Sequence, residues 1–232
     1  MNISLPTIRL KKYLANQLDN FFPDDYRFEG KDVDIAFNMA LERTEFCFKY
    51  NSIYHYTHDN QVWFDHMHSD QYSTFIYFLA NSLWKQSENK ILCNKLVLLN
   101  KLLNSIFVSY KCNLPDIFYM DHPVGTVLGN AEYSNFLVVL QNVTVNTSHG
   151  NFESPKIGRG VFLSAGVSVI GNKSIGNYCS IGANTLLYNK EIPDNSVVFT
   201  DSQGKIGIKH NKKECYSQNV FNVKITEEID GV

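Results

Sequence analysis

With 232 residues, 44% of them hydrophobic, the chain is long enough to bury a substantial core in one or two domains. Its formal net charge is −2 and no basic stripe stands out, which excludes the electrostatic footprint of a nucleic-acid binder or a protein held on anionic membranes. The first residues, Met1 to Gln17, lack an uninterrupted apolar run and a small-residue cleavage site, so no secretory leader is expected. The most apolar stretch, Leu96 to Val108, is broken by Asn100, Lys101 and Asn104 and is too short for membrane insertion. Five cysteines, Cys47, Cys93, Cys112, Cys179 and Cys215, are odd in number and carry no metal-type spacing. Reduced thiols in a cytoplasmic protein are the expectation.

Helical patterns come first along the chain. Helices are expected near Ile8–Leu18 and Val33–Phe48. A third follows Phe75, Phe78, Leu79 and Leu83, spaced i, i+3, i+4, i+8, with Ser69 or Asp70 as its cap. A fourth runs from about Ile91 to Phe107, with Leu92, Leu96, Leu99 and Leu103 on one face. Glycine is scarce here, as helices require.

Near residue 112 the pattern changes. Ile157, Leu163, Val169, Ile175, Ile181 and Leu187 recur six apart, often followed by a small residue: Gly158, Ser164, Gly176, Gly182. Four places after the aliphatic residue stand Val161, Val167, Cys179 and Thr185, with Lys173 breaking the series. Counting backwards at the same period gives Val145, Val139, Tyr133 and Val127. Val145 and Ile157 are twelve apart, so residues 146–156 can loop out without loss of register. Three six-residue strands close one triangular coil of about eighteen residues, with each aliphatic residue pointing inward, so that no coil buries its core alone. Crossovers in this architecture are left-handed, against the usual rule. A sandwich with coincidental spacing is the alternative, and six consecutive hits on one period argue against it. The expected fold class is α+β: an α-helical domain over 1–111, a left-handed parallel β-helix of hexapeptide repeats over 112–200, and a C-terminal tail over 201–232.

Tyr119-Met-Asp-His-Pro-Val-Gly-Thr-Val-Leu-Gly129 resembles the catalytic coil of bacterial serine acetyltransferases, in which an aspartate–histidine pair precedes a glycine turn. Gln141-Asn-Val-Thr-Val145 resembles that family's next coil. Asp70-Gln-Tyr-Ser-Thr74 is similar to its helical-domain segment beside the acceptor site, and Pro155-Lys-Ile-Gly158 to the point where the chain re-enters the helix. The likeness covers roughly Asp65 to Val198. It implies an acetyl-CoA-dependent O-acetyltransferase, active as a homotrimer whose catalytic cleft a neighbouring prism completes, with trimers pairing through the helical domain.

The resemblance places His122 at the family's general base. Acyl transfer to an alcohol needs a group of near-neutral pKa to take the hydroxyl proton, and imidazole fits. A histidine that merely caps the turn before Pro123 is the bland alternative. Asp121 beside it, and Asp116 or Asn113 in the preceding turn, are candidates to orient the ring. Asp65-His-Met-His-Ser-Asp70, with His55 and His58 nearby, suggests a metal site, but His66 and His68 lack a regular third and fourth ligand and no metal is expected. The resemblance instead sets Asp65, His66 and Asp70 beside the acceptor. Backbone amides at Ser164-Ala165-Gly166 and Gly182-Ala183 are the family's positions for gripping the pantetheine arm of coenzyme A, although every coil needs small turn residues for its own sake. Cys179 falls inside the prism and reads as packing, not as a nucleophile.

The loop departs from the family. Where serine acetyltransferases carry Arg-His-Pro-Lys, with the arginine pairing with the substrate carboxylate, this chain has Glu153-Ser-Pro-Lys156. A carboxylate in place of a bidentate cation reverses the local electrostatics. On that ground the expected acceptor is a sugar hydroxyl of a surface polysaccharide or its precursor, with L-serine for cysteine synthesis as the alternative and a non-catalytic hexapeptide scaffold as a further one. His149 is either an acceptor contact or an ordinary polar loop residue. The ending Glu227-Glu-Ile-Asp-Gly-Val232 resembles the acidic tail by which the family docks into cysteine synthase, a partner that follows only from the serine reading.

Overall fold

The computed structural model describes residues 1–148 and 153–229. They divide into two units, Met1–Lys49 with Tyr54–Lys111, and Tyr50–Ile53 with Cys112–Val232.

The first unit is built on four helices: α1 (Thr7–Phe21), α2 (Lys31–Lys49), α3 (Ser69–Ser87) and α4 (Lys90–Asn104). Short strands β1 (Asn2–Ile3), β2 (Thr57–His58) and β3 (Gln61–Phe64) form a small sheet in the order β1-β3-β2, and β4 (Phe107–Val108) follows the last helix. Helix α1 buries Leu10, Leu14 and Leu18, a single stripe at i, i+4, i+8. By contrast α3 is buried on every side from Asp70 to Leu83, the pattern of a central helix wrapped by others. Its N-cap is His68, not Ser69 or Asp70, and no side chain caps it there. The preceding turn explains the difference. The Asp65 carboxylate accepts from the Met67 amide at 2.9 Å, and the Gln71 side chain accepts from the Asp65 amide at 2.7 Å, so the turn closes before Ser69 and the helix starts with it. Helix α4 is capped by Asn89, whose side chain accepts from the Leu92 amide, and ends at Ser105 in left-handed backbone, short of the expected Phe107. Leu103 is 40% exposed and leaves the expected face, which is completed by Cys93, Asn100 and Asn104 beside Leu92, Leu96 and Leu99. Lys95 is also buried on α4, where its ammonium is held by the Asp24 carboxylate and the Tyr26 carbonyl.

The second unit is a parallel β-helix. Its strands are β5 (Phe118–Met120), β6 (Val127–Leu128), β7 (Glu132–Tyr133), β8 (Leu137–Val139), β9 (Thr144–Asn146), β10 (Lys156–Ile157), β11 (Phe162–Leu163), β12 (Ser168–Ile170), β13 (Ser180–Ile181), β14 (Leu186–Tyr188), β15 (Ser196–Thr200) and β16 (Ile206–His210). Successive strands go in turn to three faces. β5, β8, β11, β13 and β15 line up on one, β6, β9, β12 and β14 on the second, and β7 and β10, continued by bridges at Ile175 and Ile192, on the third. Leu163 lies opposite Ile181 and Val169 opposite Leu187, eighteen positions on. All six aliphatic residues of the repeat are at most 3% exposed, and Val161, Val167, Cys179 and Thr185 are fully buried with them. Each contributes about 1.5–3 kcal/mol if it is a Val, Leu or Ile wholly removed from water.

Two departures from the period matter. Across the loop the step lengthens to twenty-four, Val139 opposite Leu163 and Val145 opposite Val169, so the extra six residues leave at one corner and the ladder resumes unshifted. Before it, Leu128 and not Val127 lies opposite Val145, and Val127 is half-buried opposite Thr144. Eight residues separate Met120 from Leu128 instead of six, and the surplus is the turn that carries His122. Beyond the coils, β16 folds back antiparallel on β15. The following segment is tied down by Arg159, whose guanidinium donates to the carbonyls of Ile225 (2.7 Å) and Glu227 (2.9 Å) and stacks on Phe136.

If stacking carries the stability of the second unit, Leu163→Ala should cost about 3 kcal/mol. Urea unfolding followed by circular dichroism would read this as a lower midpoint with an unchanged slope.

Candidate active site

The corners of the prism are turns in left-handed backbone. One edge stacks Gly125 (φ 76°), Asn142 (φ 56°), Gly166 (φ 71°) and Asn184 (φ 56°). Its rungs are hydrogen bonds from Asn142 N to Val124 O, from Gly166 N to Gln141 O, and from Asn184 N to Ala165 O, each 2.9 Å. A Cβ on Gly125 would sit 2.2 Å from the Asn142 Oδ1, and one on Gly166 the same distance from that of Asn184. Only glycine fits above each asparagine, so stacking alone accounts for these two glycines.

His122 stands at the top of this edge. Its φ is +46°, a conformation that costs a non-glycine residue about 1–2 kcal/mol and that packing must impose. The imposition is visible. Asp121 N donates to Val139 O at 2.9 Å, holding the strand in its ladder up to the turn, and Val124 N donates to His122 O at 2.6 Å. Thr126, fully buried, locks the far side by donating to Leu140 O (2.9 Å) and accepting from Val143 N (3.2 Å). The result is a rigid turn presenting an imidazole whose side chain is 79% exposed, with Nε2 3.8 Å from Asp121 Oδ1. The same carboxylate oxygen accepts a hydrogen bond from the Tyr119 hydroxyl at 3.0 Å.

Of the two aspartates named as candidates to orient the ring, Asp121 has its carboxylate beside it, while Asp116 stands exposed in the turn before β5. Ser164, Ala165, Gly166, Gly182 and Ala183 lie on the same edge as His122, one and two coils along from Asn142. Ser164 N and Gly182 N are used by the ladder, donating to Ile181 O and Val198 O. Among the described residues the amides of Ala165 and Ala183 donate to no protein acceptor. Two open amides one strand spacing apart, about 4.8 Å, on a corner with small side chains, suit an extended chain bearing its own amide carbonyls. Pantetheine is such a chain, so this edge fits coenzyme A.

In the first unit, Asp65 is half-buried and its carboxylate lies 3.7 Å from His66 Nδ1, which also meets Ser4 Oγ at 2.7 Å. The His66 ring is set edge-on against Tyr13. His68 turns the other way, towards His55 and Tyr56. Asp70 is 1% exposed; its carboxylate accepts from Ser69 Oγ and its carbonyl from Ser73 Oγ and Thr74 Oγ1. His149 lies outside the described residues, as do Asp230, Gly231 and Val232 of the tail. Cys179 is fully buried and burial pushes its thiol up to about 11, so it holds no thiolate near neutrality. Sequence reasoning gave no role to Tyr119 or Thr126. For Tyr119 a signal existed, since residues two apart on a strand share a face and a tyrosine there reaches the aspartate.

No protein-family profile matches the chain. The chain is 30% identical over 121 residues to the serine acetyltransferase of Buchnera aphidicola (subsp. Acyrthosiphon pisum), a match covering 49% of the chain and 43% of that enzyme. It therefore spans less than half the length of this curated relative. Among solved structures, a serine acetyltransferase in complex with CoA superposes with a TM-score of 0.65 at 20% identity, covering 85% of this chain and 83% of the other. The serine acetyltransferase of Vibrio cholerae O1 superposes with a TM-score of 0.66 at 20% identity, covering 90% and 81%. The likeness in fold makes the solenoid the left-handed parallel β-helix of those enzymes.

These comparisons overturn the expectation of a sugar acceptor from a surface polysaccharide, because the relatives and structural neighbours are serine acetyltransferases. Glu153 Oε2 accepts a hydrogen bond from Asn172 Nδ2 at 2.6 Å. Asn172 belongs to the corner next to Gly171, a different edge from that of His122.

The rigidity of the turn can be measured. Thr126→Val keeps the shape but removes the donor to Leu140 and strands the Val143 amide, and should destabilise by about 1–3 kcal/mol. Thr126→Ser should restore most of it. Both are read from urea midpoints.

Proposed function

We propose that this chain is an acetyl-CoA-dependent serine O-acetyltransferase with His122 as general base. The observation that carries the reading is the His122 turn: an exposed imidazole in costly left-handed backbone, beside a carboxylate, on the edge that offers open amides to a cofactor arm. Strain of this kind persists where the surrounding structure maintains it, and it is found disproportionately at working sites. A histidine that only finished a turn would be better replaced by Asn or Gly, as at the corners below it.

In this reading His122 takes the proton from the serine hydroxyl as the oxygen bonds to the thioester carbonyl carbon. The imidazolium then returns that proton to the sulfur as the carbon–sulfur bond breaks, releasing O-acetylserine and the free thiol. Asp121 stabilises the imidazolium between the two transfers. Ala165 and Ala183 donate their amides to the pantetheine arm and fix the thioester along the edge. Asp65, His66 and Asp70 are assigned to the acceptor side, with Asp65 the more accessible of the two acids. No metal is required by these steps. A homotrimer belongs to the same reading and is supported by Leu186 and Tyr188, 55% and 62% exposed on the outside of β14, which a second prism would cover. A cytoplasmic setting agrees with five buried free thiols. No described helix is long and apolar enough to cross a membrane.

The test is thiol release from acetyl-CoA by the full chain in the presence of L-serine. Saturable, serine-dependent turnover is expected, and His122→Ala should lower kcat by about 10²–10⁴-fold. Turnover that survives that substitution unchanged would overturn the mechanism.

A further inference from the structure

We propose that Tyr119 is a positioning residue for the Asp121–His122 pair, holding the carboxylate at a fixed distance from the imidazole. The inference rests on the reading of His122 as base and extends it to a residue with no assigned role.

Strand β5 alternates, so Met120 enters the prism, where it is 1% exposed, while Tyr119 and Asp121 lie on its outer side. Tyr119 is nevertheless buried, at 8% exposure, so its ring is held by packing and its hydroxyl has little freedom. That hydroxyl donates to Asp121 Oδ1 at 3.0 Å. The same Oδ1 is the carboxylate oxygen nearest the imidazole, at 3.8 Å from Nε2, which is ion-pair range but too long for a hydrogen bond. Between the tyrosine and the imidazole, the hydrogen bond to this oxygen belongs to the tyrosine.

Two consequences follow. The backbone of Asp121 is pinned by its bond to Val139 O, so the side-chain torsions are its remaining freedom, and the tyrosine removes them. A carboxylate without that tether could swing to solvent, since its side chain is 37% exposed, or close onto the ring. Swung away, it no longer favours the N–H on the ring nitrogen that faces it, and the lone pair needed for the serine proton is shared between two tautomers. Closed onto the ring, it forms a tight ion pair that holds the imidazole protonated and unable to act as base. The tethered position avoids both.

The experiment uses the full chain with acetyl-CoA and L-serine. Tyr119→Phe, which keeps the ring and removes the hydroxyl, should lower kcat about tenfold and leave KM for acetyl-CoA within about twofold. In an Asp121→Ala background the same change should cost less than about twofold, because a residue acting through Asp121 has nothing left to act on. A purely structural tyrosine would cost the same in both backgrounds. Nitrogen-15 spectra of the His122 ring, assigned by loss of its signals in His122→Ala, give a readout independent of turnover. One dominant N–H tautomer is expected in the parent, and a mixture or a protonated ring in Tyr119→Phe. A kcat within twofold of the parent, an equal loss in both backgrounds, or an unchanged ring spectrum would each overturn the role of Tyr119. Full activity of His122→Ala would instead remove the base reading on which it rests.

Discussion

The stacking of one coil on the next is the constraint on which the molecule depends. A single coil of the prism has a few inward aliphatic residues and no way to shield them above and below. Leu163 is dry because Val139 and Ile181 lie on either side of it, and the same holds for Val169 between Val145 and Leu187. Register follows from this, since a slip of one residue would turn the ladder outward. The corners obey the same requirement. Coils can approach to strand spacing only if every turn is shallow, which selects left-handed backbone and small or amide side chains at Gly125, Asn142, Gly166 and Asn184. The edge that this produces is regular, exposed and partly unpaired in its amides. The open amides on which the proposed cofactor reading rests are thus a by-product of the stacking that folds the chain.

Against that regular background the His122 turn, like the longer insertion after β9, lengthens the coil at an edge before the ladder is recovered. Two additional residues lift an imidazole clear of the corner, and the shortened step that follows recovers the ladder by Tyr133, opposite Ile157. The scaffold does not need this excursion. Its maintenance by Thr126, Pro123 and the Asp121 amide shows that the fixed geometry at position 122 is built from ordinary strand and turn contacts, with the imidazole placed at the tip.

Much of the second unit was legible in the sequence because a period of six survives any change of context. The aliphatic ladder falls where counting puts it, and its register is kept across the lengthened step from Val145 to Val169. Val127 does not fall where counting puts it, because counting backwards assumes unbroken hexads, and the lengthened histidine turn shifts the inward position to Leu128. The helices were legible as stripes, but Leu103 shows the limit: which flank of a stripe is covered depends on the neighbouring helix and not on the stripe. The cap of α3 was misplaced for a similar reason, since Asp65 and Gln71 close the preceding turn by a bond between residues six apart. At the candidate site, the nearness of Asp121 to His122 was readable from their motif. The hydrogen bond of Glu153 to Asn172 was not, because its corner of the prism is fixed only once the coils are stacked. Tyr119 lay in plain view within the motif, and its meaning comes from a hydroxyl-to-carboxylate distance.

The reversal of β16 has a consequence for the end of the face that β15 closes. A stack of parallel strands ends in a row of unsatisfied amides and carbonyls, and any similar chain could add to it. By running antiparallel along β15, β16 occupies that row with a strand of opposite polarity and offers outward Lys209 and His210 in place of another hexapeptide rung. On that face, addition of a further parallel rung is therefore blocked within the chain itself.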